Sequence, residues 1–73
     1  MAPKQVIDGR DMMPPEPLEL TLGALDDLAE GEELLLLLRG RPYPLYDILR
    51  RNGYIHDTRV ADDGSVEVRI RKA

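Results

Sequence analysis

A run of five leucines, Leu34–Leu38, places the strongest constraint on how this chain can fold. A continuous apolar run of this kind occurs both in buried strands and in buried helices. Gly31 precedes the run, and Gly40 and Pro42 follow it closely, so only about seven residues are free of turn-forming neighbours. That length suits a strand and is too short for a typical helix. Glu33–Arg39 is therefore predicted to be a buried strand.

An amphipathic helix is predicted on each side of this strand. The first begins at Pro15, and Gly31 is expected to close it as a left-handed cap. The second spans Pro44–Gly53 and also opens with a proline, which a first turn tolerates because its N–H groups lack intrahelical partners. Helical spacing gives the residues expected to face the core, which are Leu18, Leu22, Leu25 and Ala29 in the first helix and Leu45, Ile48 and Leu49 in the second. Leu20, Ala24 and Leu28 are expected to widen the apolar face of the first helix.

Three further strands are predicted from β-branched residues and from alternation of apolar and polar residues. They span Lys4–Asp8, Tyr54–Ala61 and Val66–Lys72, and Asp62–Ser65 forms a hairpin turn between the last two. The order of elements is β-α-β-α-β-β. The simplest architecture is an α+β two-layer sandwich, in which both helices cover one face of a four-stranded mixed sheet. We expect a single domain over residues 1–73.

A sheet with both helices on one face leaves its other face open. Leu34–Leu38 would place two or three leucines on that open face, and contiguous exposed apolar area is typical of interaction sites. One interpretation is a homo-oligomer that forms through this face. The alternative is that side chains of neighbouring strands, such as the stems of arginines, cover the leucines.

Composition argues against several classes of function. The 73 residues contain no cysteine, so the chain has no disulfide, no thiolate nucleophile and no thiolate metal ligand. The net charge of −4 argues against general affinity for nucleic acid, although basic residues are concentrated after residue 38. No segment approaches the roughly 18 apolar residues of a membrane span. We expect a cytoplasmic protein with no metal, no cofactor and no membrane contact.

The segment PPEP, Pro14–Pro17, lies between the first predicted strand and the first predicted helix. In that position it resembles the Cys-Pro-x-Pro motif of the TusA/SirA-like sulfur carriers, whose β-α-β-α-β-β order the whole chain shares. In those carriers the cysteine of the motif lies at the start of the helix. There the helix dipole lowers the pKa of the thiol, which carries a persulfide. Here Pro14 takes the place of that cysteine, so the sulfur-carrier activity is not carried over.

The chain is most similar to a cysteine-less branch of that superfamily, a domain of unknown function. The similarity lies in PPEPLELTLGAL, Pro14–Leu25, and in RPYPLYDILRRNGY, Arg41–Tyr54. It implies the fold. It implies a function only by analogy, because one fold serves many functions.

The most unusual surface segment is RPYPLY, in which two prolines enclose Tyr43. A rigid loop that presents tyrosine and arginine suits binding, because both residue types are enriched at interface hot spots. Arg41, Tyr43 and Tyr46 are therefore candidate binding residues, with the alternative that Tyr43 only covers the edge of the core. The other candidates lie at the start of the first helix and are Arg10, Pro14, Pro15, Glu16 and Pro17.

No nucleophile and base can be paired from the sequence, and we expect a non-enzyme. His56, the only histidine, is expected at the surface or at a strand edge and not as a metal ligand. The leading hypothesis is a protein-interaction module that kept a sulfur-carrier fold after losing the thiol. The alternatives are a sensor of a small anionic ligand bound at the start of the first helix, and an accessory protein that contacts RNA through its basic second half.

Overall fold

A computed structural model describes residues 5–73 of the chain. The elements are β1 (Gln5–Asp8), α1 (Glu16–Asp26), β2 (Glu33–Leu38), α2 (Tyr43–Arg51), β3 (Tyr54–Val60) and β4 (Val66–Lys72). The strands form one mixed sheet in the order β1-β2-β4-β3, in which β1 and β2 are parallel and β4 is antiparallel to both neighbours. The predicted α+β fold is confirmed. Lys4, the start of the first predicted strand, lies outside the described residues.

The core fills the space between the two helices and one face of the sheet. Val66, Val68 and Ile70 are buried there, as the alternation in the last strand predicted. Both helices add buried side chains to the same cluster, among them Leu25 from α1 and Leu49 from α2. Within residues 5–73, no helix has the length and apolar character needed to cross a membrane.

The leucines of β2 alternate between the two faces of the sheet. Leu34, Leu36 and Leu38 are buried under the helices, whereas Leu35 and Leu37 are half-buried on the open face. Antiparallel pairing places Leu35 opposite Arg69 and Leu37 opposite Glu67 of β4, so charged side chains flank both leucines. The open face therefore holds two leucines, and self-association through it stays a prediction.

Helix α1 ends earlier than the sequence pattern predicts. Asp27 caps the helix, because its N–H donates to the carbonyl of Ala24 and the N–H of the next residue, Leu28, donates to the carbonyl of Leu25. The prediction that Gly31 is the cap is wrong, because Gly31, at φ 83°, belongs to the turn that leads into β2. Within that turn the N–H of Ala29 donates to the carboxylate of Glu32 at 2.7 Å.

The early end of α1 changes which residues reach the core. Leu28 is buried as predicted, but just beyond the helix, whereas Ala29 and Leu20, which were also predicted to face the core, are exposed. Thr21 is fully buried on the helix and was not predicted there. Its hydroxyl donates to the carbonyl of Pro17 at 2.8 Å, which satisfies the polar group inside the core.

Candidate functional site

Two proline-rich loops meet at one edge of the sheet. Because β1 and β2 are parallel neighbours, their carboxyl ends lie together, and the loops that follow them, residues 9–15 and 39–42, are side by side. The N–H of Gly9 donates to the carbonyl of Leu37 at 2.8 Å, which ties the first loop to the end of β2. Both helices begin at this edge. We call the hollow between the loops and the helix starts the cleft.

The cleft has a volume of about 490 Å³ and is mostly apolar. Five prolines form much of its wall. Three belong to the PPEP segment, one to the loop before α2 and one to α2, and none of them offers an N–H donor. None of the lining residues has a side chain that could serve as a nucleophile or a general base at neutral pH. The lining consists of Gly9, Arg10, Met12, Pro14, Pro15, Pro17, Leu18, Leu38, Arg39, Gly40, Arg41, Pro42, Pro44 and Leu45.

Gly9 lets the two layers approach closely at the base of the cleft. A Cβ atom at this position would lie 3.0 Å from Cδ2 of Leu38 and 3.1 Å from Cβ of Pro17. A larger residue would therefore push α1 away from the end of β2. The absence of a side chain at Gly9 fixes how the PPEP segment sits against the sheet.

Three arginines surround the cleft, and they differ in how they are paired. Arg10 donates from Nε and Nη2 to the carboxylate of Asp8, at 2.8 and 2.7 Å. Arg39 lies 3.5 Å from the carboxylate of Asp11, and its Nε donates to the carbonyl of Arg10 at 3.3 Å. Arg41 is exposed and forms no ion pair or side-chain hydrogen bond with any residue in the range 5–73.

The ion pair with Arg10 lowers the pKa of the Asp8 carboxyl. Hydrogen bonds from the side chain and then the backbone of Arg10 lower the pKa of Asp8 from 3.8 to about 2. Because the pKa is lower in the folded state, the pair stabilises the fold above pH 3.8, and this contribution is lost as the pH falls toward 2. We expect the side-chain carboxyl carbon of Asp8 to titrate near pH 2 by NMR, with Arg10→Gln returning it toward 3.8. A wild-type midpoint near 3.8 would contradict the pairing.

The cleft brings together five of the eight candidate site residues. Glu16 is exposed at the first position of α1, outside the lining. Tyr43 is also outside the lining but adjoins it, because both of its sequence neighbours are lining prolines, and it is 67% exposed. The five that line the cleft are Arg10, Pro14, Pro15, Pro17 and Arg41.

Tyr46 belongs to the core, and its placement among the surface contact residues needs correction. Its side chain is only 9% exposed. Its hydroxyl shares a hydrogen bond of 2.5 Å with the hydroxyl of Thr58, and its ring stacks on His56 with centroids 4.7 Å apart. His56 lies on the edge strand β3, where it was expected, half-buried against this ring. Tyr43 meets Tyr46 edge to face at 5.9 Å.

The cleft could not be recognised from the sequence as one site. Leu18 and Leu45 were assigned to the two helices and Leu38 and Arg39 to the strand between them, and none of these four was a candidate binding residue. The signal that unites them is the parallel pairing of β1 and β2, because residues that follow neighbouring parallel strands share an edge of the sheet.

The start of α1 offers few donors to an anion. Glu16 N–H already donates to the carbonyl of Met13 at 3.0 Å, and Glu19 N–H donates to the carbonyl of Pro15 at 3.1 Å. Pro17 has no N–H, so only the N–H of Leu18 in this first turn is without a backbone partner. The anion-binding helix start proposed from the sequence therefore has one donor where several are usual.

Comparison with known proteins agrees with the fold and with the sequence resemblance. Residues 6–72 match the family of uncharacterised conserved proteins DUF2249. The chain is also similar to a SirA-like protein from Desulfitobacterium hafniense, whose crystal structure superposes with a TM-score of 0.79 at 25% sequence identity. That match covers 90% of this chain and 93% of the other. No curated protein matches the sequence. The recognition of a SirA-like fold in a family of unknown function is confirmed, and this member of the family contains no cysteine.

Proposed function

Because the chain belongs to the DUF2249 family and has a SirA-like fold, we propose that it is a non-catalytic protein-interaction module that docks partners at the cleft. The observation that carries the proposal is the position of the cleft. It opens where the resemblance places the thiol of sulfur carriers, and Pro14 stands there instead. The lining is apolar and contains no reactive side chain. A site of this kind can bind but has no group with which to perform covalent chemistry.

The residues around the cleft favour a protein as the partner. Tyr43 is 67% exposed and Met13 is 79% exposed, and each lies between residues that line the cleft. Tyrosine, methionine and arginine are enriched at protein interfaces. The proline-rich walls hold the surface in one shape before binding, which lowers the entropic cost of association.

A small ligand with an anionic group is the second candidate. The cleft volume of about 490 Å³ falls in the range of roughly 300–1,000 Å³ that is usual for small-molecule sites, which favours this reading. Contact with RNA has less support. Arg59, Arg69 and Arg71 lie on the open face of the sheet, whereas Arg41 lies beside the cleft, so the basic residues of the second half are divided between two surfaces. Asp57 and Glu67 also lie on the open face and offset its positive charge.

Charge reversal at Arg41 is expected to weaken capture of the partner about tenfold, because one attractive contact becomes a repulsive one. The measurement is an affinity pull-down of the tagged protein from lysate of the cell that makes it, with quantitative mass spectrometry. Arg59→Glu is the matched control, since it makes the same charge change on the open face of the sheet. Tyr43→Ala is the second cleft-side variant.

Three outcomes separate protein docking at the cleft from protein binding elsewhere and from RNA contact. A protein that is depleted by Arg41→Glu and Tyr43→Ala, and retained by Arg59→Glu, supports docking at the cleft. A partner that responds equally to Arg41→Glu and Arg59→Glu contradicts it. Material that disappears after nuclease treatment, and whose capture falls steeply with salt, indicates RNA instead.

A further inference from the structure

We infer that the cleft recognises a short segment of the partner in which an apolar side chain fills the hollow and a nearby carboxylate pairs with Arg41. This inference rests on the proposed docking function and specifies its chemistry. It commits to an apolar anchor and one acidic residue, in a protein segment and not in a nucleic acid or a membrane.

The walls of the cleft decide how such a segment is held. Pro14, Pro15 and Pro17 stand on one side and Pro42 and Pro44 on the other, and none of them can donate a hydrogen bond to a peptide backbone. At the start of α2, the N–H groups of Tyr43 and Leu45 already donate to the carbonyls of Arg41 and Pro42. Few N–H groups of these walls are therefore free to pair with an entering main chain in the way that an added strand pairs. We expect a side chain to supply the main anchor.

The base of the hollow sets the character of that anchor. Leu18, Leu38 and Leu45 line it, and no lining side chain other than the arginines carries a polar group. An apolar side chain buried there loses contact with water, which is worth about 1.5–3 kcal/mol for a Leu, Met or Phe. A polar side chain would find no partner among these leucines and prolines, so its burial would be unfavourable.

The pairing of the arginines sets the number and sign of the charges recognised. The carboxylates of Asp8 and Asp11 already compensate Arg10 and Arg39. Arg41 is the cleft arginine with no ionic partner within residues 5–73, so its positive charge is not paired with a carboxylate of this chain over that range. One carboxylate in the partner would pair with Arg41. The exposed carboxylate of Glu16 at the start of α1 and the net charge of −4 oppose a polyanion such as RNA.

The test is selection of binding peptides from a random displayed library, carried out separately on the wild-type protein and on Arg41→Glu. We expect wild-type peptides to share an apolar residue with Asp or Glu close by, and to bind Arg41→Glu about tenfold more weakly. Peptides selected on Arg41→Glu should carry Lys or Arg in place of the acid. Arg59→Glu, the control on the open face, should bind the wild-type peptides unchanged.

The failure of this inference and the failure of the proposed function give different results. Peptides that shift the amide NMR signals of Met12, Leu18 and Leu45, but show no acidic preference and no dependence on Arg41, overturn the inference and leave docking at the cleft standing. Peptides whose signals map only to the open face of the sheet, or a library that yields no binder, contradict both.

Discussion

Replacing Tyr46 with alanine is expected to lower the free energy of unfolding by about 3–5 kcal/mol, the usual loss for a large aromatic side chain in a core. The ring is 9% exposed, lies against His56 and is fixed by the hydrogen bond to Thr58. Small domains have only roughly 5–15 kcal/mol of stability, so this loss removes a large part of it. Urea denaturation followed by far-UV circular dichroism measures the change.

Tyr46→Phe is the matched control for this prediction. It keeps the ring and its stacking and removes only the hydroxyl, so we expect a loss of about 1 kcal/mol, with Thr58 left short of one partner. Partner capture by Tyr46→Phe should equal that of the wild type, because the hydroxyl faces Thr58 and not the solvent. If Tyr46→Ala were fully stable but captured no partner, Tyr46 would be a contact residue after all.

The second large effect on stability is expected within the leucine run, where two neighbouring leucines should respond differently to truncation. Leu36→Ala should lower the free energy of unfolding by about 2–5 kcal/mol, because Leu36 is 1% exposed beneath the helices and its truncation leaves a cavity. Leu35→Ala should cost about 1 kcal/mol or less, because Leu35 is half-buried on the open face beside Arg69.

The comparison of these two variants tests the register of β2 directly. A shift of one residue would exchange the faces of all five leucines. Equal losses for Leu35→Ala and Leu36→Ala would contradict the alternation. A Leu35→Ala loss that grows with protein concentration would instead indicate that the open face is covered by a second copy.

The order of elements could be predicted from the sequence because each element carries a local signal. The strand Val66–Lys72 and the turn at Gly64, with φ 87°, follow from alternation and from the Asp-Gly pair, and both are where the pattern placed them. The end of α1 could not be predicted in this way. Helical spacing runs on past Asp26 to Ala29, but the helix closes at Asp27, where the N–H groups of Asp27 and Leu28 donate three residues back to Ala24 and Leu25.

Only part of the candidate site could be predicted from the sequence, because the rest depends on tertiary contacts. The sequence indicated both proline-rich segments as unusual, but only the parallel pairing of β1 and β2 brings Pro14 and Arg41 to one cleft. Tyr46 was misplaced because the apolar face of α2 was defined by Leu45, Ile48 and Leu49. Tyr46 is three residues before Leu49, a spacing that shares a helix face, and this signal could have placed it in the core.

The most direct test of the account is photo-crosslinking in the cell that makes the protein, with p-benzoylphenylalanine placed at Tyr43 and, as the control, at Ile55. Both positions are exposed, the first beside the cleft and the second on the open face of the sheet. We expect a defined protein adduct from position 43, lost on adding Arg41→Glu, and no such adduct from position 55. A specific adduct at position 55 with none at position 43 would contradict docking at the cleft.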